Sequence, residues 1–215
     1  MSGADAFFLT FTNLAFILPF VEAVKRHHYT YAFVYIATVF ASGFYHACWA
    51  SYMVCWLSPT NHQHLDFFLS YLLIPMTLLY LIDWSPKWAF IHRWLILSFA
   101  LAIFILRVQV PSSEHVAVEL GLAGTAFGML LLYWVAVGLP HYDWRYLSGA
   151  FLLTAISLAF FTWQEDIGYT VSHSIWHVSA ALAQFLLLRS RAPAPRYAAM
   201  DSRIPIAVPI KQILF

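Results

Sequence analysis

The chain has 215 residues, of which 62% are hydrophobic, 19% aromatic and only 10% charged, with a formal net charge of +1 and a mean hydropathy of +0.72. A water-soluble domain carries roughly 25% charged residues, so the polar side chains here are too few to cover a folded surface and most of that surface must face lipid. The cations are also few and dispersed, which leaves no basic face for a nucleic acid.

A bilayer-spanning helix needs about 17 to 25 apolar residues, and seven stretches meet this: 7–24, 31–53, 65–82, 88–106, 116–138, 146–163 and 169–188. They predict an all-α protein, a seven-transmembrane helix bundle over residues 1–188 with a tail at 189–215. The first span follows Met1-Ser2-Gly3-Ala4-Asp5, which lacks the positive region of a cleaved signal, so this span is expected to stay in the mature protein. Lys25, Arg26, His27 and His28 after it read as an inner-surface anchor.

The second span carries Ser42-Gly43-Phe44-Tyr45-His46. That i, i+4 spacing sets a hydroxyl and an imidazole on one helix face, although such a Ser more often serves helix packing. Cys48 and Cys55 are the only cysteines; they exclude a disulfide-stapled secreted scaffold and say little more. After Ser58-Pro59-Thr60-Asn61, His62 and His64 read as a solvated loop beside the site, where they could act as spare ligands. Asp66 opens the third span, in the position of an interfacial helix cap.

The fourth span carries Arg93 and the fifth Glu119, both expected to snorkel or to face the bundle interior. His92 and His141 read as inner-interface residues. Gly124 and Gly128 form a GxxxG motif, expected to pack within the bundle first and to serve as a homodimer face second. The seventh span holds His173-Ser174-Ile175-Trp176-His177, two imidazoles one turn apart and near enough to share one metal. Trp and Tyr near the span ends, such as Tyr29, Trp56 and Trp144, fit an interfacial belt. The tail's prolines forbid a continuing helix, and its arginines suit a disordered cytoplasmic segment touching anionic lipid.

Lysine and arginine are retained on the cytoplasmic side, and all of them except Arg107 fall after spans one, three, five and seven. Asp5, Glu114, Glu165 and Asp166 collect on the other side. The N-terminus is therefore expected outside and the C-terminus in the cytoplasm. At 1.5 Å per residue, His173 and His177 lie about 6 and 12 Å below the outer end of the seventh span, and His46 about 10 Å below that of the second. Three helices thus bring His46, Asp66, His173 and His177 to the outer half of the bilayer. Three imidazoles leave one open position on a tetrahedral Zn2+, with Asp66 and Ser42 as supporting or catalytic groups. A lone membrane His more often bonds a backbone carbonyl; the matched depth of the whole set is what points to metal.

Seven spans with Ser-x3-His in the second, Asp at the third and His-x3-His in the seventh resemble the CREST superfamily of alkaline ceramidases, adiponectin and progestin receptors, and the myomaker group. More narrowly, Asn13-Leu14-Ala15-Phe16 with Leu18-Pro19, Lys25-Arg26, Phe44-Tyr45-His46-Ala47-Cys48, Glu165-Asp166, Tyr169, His173-Ser174 and His177 are similar to the myomaker group and its longer GPI-processing phospholipase relatives, over most of the chain up to Leu188. The resemblance implies a zinc ion held by His46, His173 and His177. Ser42 and Asp66 stand where the hydrolases keep their supporting hydroxyl and carboxylate. The few residues before the first span favour the myomaker group, whose phospholipase relatives carry a large extracellular region there.

The function expected is a multi-pass plasma-membrane protein promoting cell fusion, as between myoblasts. It would act on its own membrane lipid through a cavity under an outward-facing zinc site and need a separate fusion factor. The rival is a zinc-dependent lipid amidase or esterase, in which the metal acidifies a water and Asp66 shuttles the proton. A retinal protein is excluded because the last span has no lysine, and a rhodopsin-like receptor because Asp83-Trp84-Ser85 stands where Asp-Arg-Tyr belongs.

Overall fold

Without water to satisfy backbone N–H and C=O groups, an apolar chain of this composition can cross a bilayer only by pairing them within helices or closed barrels. The computed structural model of the protein takes the helical solution and describes residues 3–49, 55–82, 84, 89–109, 115–163 and 167–191. The elements are α1 (Gly3–Thr12), a 3₁₀ turn (Asn13–Phe16), α2 (Ile17–Lys25), α3 (Tyr29–Trp49), α4 (Pro59–Tyr80), α5 (Ala89–Gln109), α6 (His115–Val137), α7 (Trp144–Thr162) and α8 (Tyr169–Ser190). The 3₁₀ turn is flanked by right-handed helical backbone, so α1 and α2 run on as one rod. Among the described residues there are seven such rods and no strand beyond an isolated bridge between Tyr142 and Arg191.

Five rods are long and apolar enough to cross a membrane: Ala4–Lys25, Tyr29–Trp49, Leu120–Val137, Trp144–Thr162 and Tyr169–Ser190. The apolar part of α5 is shorter, Phe90–Leu106. Helix α4 starts well before the expected 65, because Ser58 caps it by accepting the Asn61 N–H at 3.2 Å with Pro59 in its first turn. His62 and His64 are therefore helical, not part of a loop, and Asp66 lies about 10 Å into the helix. Lys87, Glu114, Glu165, Asp166 and the tail 192–215, on which part of the orientation argument rests, fall outside the described residues, as do Asp83 and the side chains of Arg107 and Glu119.

Helix α8 is the hub, packing against α7, α2, α1, the 3₁₀ turn and α4. Helix α3 packs on α4 and the first rod, while α5 and α6 attach to α4. Among the described residues α7 packs on α8 alone, and closely: a Cβ at Gly149 would meet Leu186 Cδ1 at 3.1 Å. Gly124 and Gly128 do not behave as expected. A Cβ at either would meet nothing within 4 Å, so among the described residues the GxxxG face packs on no other helix. The outward faces are apolar, as with Phe33, Leu132 and Val135, which is 86% exposed; a surface of that kind suits lipid and not water.

One end of the bundle is tied by a polar knot that the sequence did not announce. Buried Glu22 accepts from Arg26 Nε at 2.7 Å and lies 3.6 Å from Arg189 Nε. Arg26 also donates to the Arg191 carbonyl at 2.7 Å, and Arg191 donates to the carbonyls of Tyr80 and Ile82 at 2.9 and 3.2 Å. The Tyr80 hydroxyl donates to Leu188 O at 3.0 Å, and the Tyr142 hydroxyl donates to Leu81 O. These bonds satisfy the carbonyls orphaned at the ends of α4 and α8 and fix four helices at this end of the bundle. His28 sits against the rings of Tyr31 and Tyr80, and burial, followed by the charges of Arg191 and Arg26, pushes its pKa down to about 4.

Candidate metal centre

At the opposite end, α3 delivers His46 in its last turn, and α8 presents His173 and His177 one turn apart on the face it turns toward α3. All three are buried, at 1%, 3% and 1% exposed. Their ring centroids are 5.1 Å (His46–His173), 5.4 Å (His46–His177) and 4.6 Å (His173–His177) apart, and one ligand atom from each lies within 4.8 Å of the others. The i, i+4 spacing alone put two of these imidazoles on one face; the packing of α3 on α8 through the first rod supplies the third.

Nε2 of His46 and Nε2 of His177 are buried with no hydrogen-bond partner. Burying such an atom unpaired costs about 1–3 kcal/mol, and a neutral imidazole nitrogen aimed at two others is the donor set a Zn2+ ion takes. The residues present fit the ion. Behind His177, Nδ1 lies 3.1 Å from the Thr12 hydroxyl, the kind of outer partner that orients a ligating histidine. Tyr169 stacks on the His173 ring at 4.7 Å, and Trp176 flanks both His173 and His177.

Ser42 is buried one turn below His46 on α3, and its Oγ has no hydrogen-bond partner. Asp66 is buried on α4, outside the three-histidine cluster, within electrostatic reach of the Tyr169 phenol. It is thus an interior carboxylate and not the interfacial cap that its place in the sequence suggested; Ser58 takes that role. His62 is fully buried, against Phe44 and Trp56, whereas His64 is exposed. Thr12 was missed because it has no ligand spacing, and only the fold brings the first rod to α8. His62, expected in a solvated loop beside the site, is instead carried against α3 by the first turn of α4.

A pocket of about 430 Å³ leads to His46 past Asp5, Trp49, Tyr169 and Thr170. A smaller groove of about 90 Å³ runs from Trp176 along α8 to Gln184 between α4 and α7, walled by Tyr71, Leu158 and Phe161. Beside the site, Cys48 and Cys55 form a disulfide with their Cα atoms 5.7 Å apart. The second span, expected over 31–53, is described as helical to Trp49; an unbroken helix from Cys48 to Cys55 would hold the two about 10 Å apart.

A family described as "Protein of unknown function (DUF3522)" matches residues 2–178. The chain belongs to this family. The matched region holds every site residue, from Thr12 to His177. A human (Homo sapiens) relative, post-GPI attachment to proteins factor 6, is 27% identical over 198 residues, covering 86% of this chain and 25% of the relative. The chain therefore spans about a quarter of that relative's length. With its apolar helices, this member of the family is a multi-pass membrane protein.

Proposed function

We propose that the protein is a seven-span membrane protein whose three-histidine centre holds zinc and acts on lipid, and that hydrolysis of a lipid amide or ester is the reading its geometry supports best. The observation that carries it is the convergence of His46, His173 and His177 on one point with a pocket reaching His46 from the same end. A catalytic zinc needs that open approach, which a four-ligand structural site lacks. A bound zinc ion would supply Lewis-acid polarisation and an acidified water. The chain's own groups would do the rest. Asp66 would take up and return a proton, Ser42 would donate a hydrogen bond to the substrate's polar head, and the groove along α8 would seat an apolar chain and exclude water. The human relative is named a post-GPI attachment to proteins factor, so GPI-linked lipid belongs among the substrates to try.

The seven-span count adds α4 and α5 to the five apolar rods, both being long enough to cross. An outward-facing centre is supported by the disulfide beside it, because such bonds persist in oxidising compartments; the plasma membrane is the membrane proposed. The near-complete burial of the triad favours a second reading, in which zinc ties α3 to α8 structurally and the protein promotes cell fusion with a separate factor, as its resemblance to the myomaker group implies. A cell-mixing assay run beside lipid analysis of the same expressing cells, wild type and Asp66→Ala, separates the two. Loss of a free fatty acid or sphingoid base in the variant supports the hydrolase; fusion retained by the variant, with no lipid product in either, supports the structural metal.

A further inference from the structure

The rod that opens the chain changes helix type at one point, and the residue at that point touches the metal centre. The 3₁₀ turn Asn13–Phe16 tightens the backbone, and Leu9 O, at the end of α1, accepts the Thr12 hydroxyl at 3.0 Å and Asn13 Nδ2 at 2.9 Å. A threonine hydroxyl has one hydrogen to give. With that hydrogen committed to Leu9 O, the Thr12 oxygen has only lone pairs left for His177 Nδ1, 3.1 Å away.

We infer that Thr12 is a positioning residue that fixes His177 as its Nδ1–H tautomer, so that the Nε2 lone pair faces His46 and His173. The opposite tautomer would put an N–H donor on Nε2, which is buried and has no acceptor, and would leave no lone pair there for a metal. At the point where the rod changes helix type, Leu9 O accepts the Thr12 hydroxyl and so holds its hydrogen away from the histidine. Asn13, buried with its amide on the same carbonyl, holds the arrangement from the other side.

The consequence for metal rests on the zinc reading above; the tautomer does not, and the two are measured separately. In metal-free wild type labelled with 15N-histidine, with the His177 signals assigned by loss in His177→Gln, the nitrogen shifts should report Nδ1–H and bare Nε2. An Nε2–H ring overturns the inference with no variant of Thr12 required. Zinc affinity by chelator competition should then fall by about 10- to 100-fold in Thr12→Val, the range for loss of an outer hydrogen bond to a ligand, and return in Thr12→Ser, which keeps the hydroxyl. Unchanged affinity in Thr12→Val overturns the inference while leaving zinc binding intact. Wild type that takes up no zinc strikes the metal reading, and the tautomer measurement still decides the hydrogen bond.

Discussion

His177 is flanked by Trp176 and two other imidazoles and bonded behind by Thr12. Protein purified without chelators should hold about one zinc per chain, and His177→Gln or His173→Ala should remove it, because two remaining nitrogens do not make a stable site; elemental analysis checks this. Asp66→Asn should keep the zinc and lose lipid turnover, since the carboxylate is outside the histidine cluster. His28, at the other end, gives a pH prediction. Its folded pKa of about 4 lies below the ordinary 6.5, so between those values the unfolded chain binds the extra proton. His28 therefore leaves stability unchanged above about pH 6.5 and lowers it as pH falls through that window. The groups acting on it are Arg191, Arg26, His92 and His27. His28→Phe keeps the ring against Tyr80 and should flatten that part of the melting curve against pH relative to wild type in detergent.

At the scale of elements, α8 carries the site and most of the packing, and α7 depends on it. Because α7 rests on α8 alone among the described residues, its seat is sensitive at Gly149, where a Cβ would already press on Leu186. Gly149→Val should cost about 1–3 kcal/mol by overpacking, read as a lower melting temperature, with the zinc retained because α3 and the first rod are untouched. Glu22→Gln acts on the polar knot. It keeps an amide oxygen that can accept from Arg26 but removes the negative charge facing Arg26 and Arg189, and it should loosen the ends of α2 and α8 at a cost of about 1 kcal/mol, the difference between a charged and a neutral hydrogen bond.

For the whole molecule, the testable quantity is orientation. Tags at the N-terminus should stain on intact cells, and tags after Phe215 only after permeabilisation, as the distribution of cations requires. A membrane-impermeant thiol reagent should label Cys48 and Cys55 only after reduction, because the two are bridged. The reverse tag pattern would put the metal centre in the cytoplasmic half and end the cell-surface reading. The lipid-facing surface, with Phe33, Leu132 and Val135 outward, should keep the protein in detergent or bilayer throughout purification.

Composition and hydropathy by themselves determined that the chain is helical and lives in a membrane, because the requirement to satisfy every backbone group in lipid leaves a small menu. Spacing determined that His173 and His177 share a face, since i, i+4 is a property of one helix. The charge asymmetry was likewise legible, although several of the residues that carry it lie outside the described part. Only the tertiary structure decided what crosses between helices. It brought His46 onto α8, Thr12 onto His177, Glu22 among the arginines, and Cys48 to Cys55. It also left the GxxxG face without a neighbour among the described residues, moved His62 and Asp66 into the interior, and gave the capping role to Ser58. These are contacts between residues far apart in the chain or across a helix end, and neither periodicity nor spacing encodes where one apolar rod will rest on another when nearly every face of each rod is apolar.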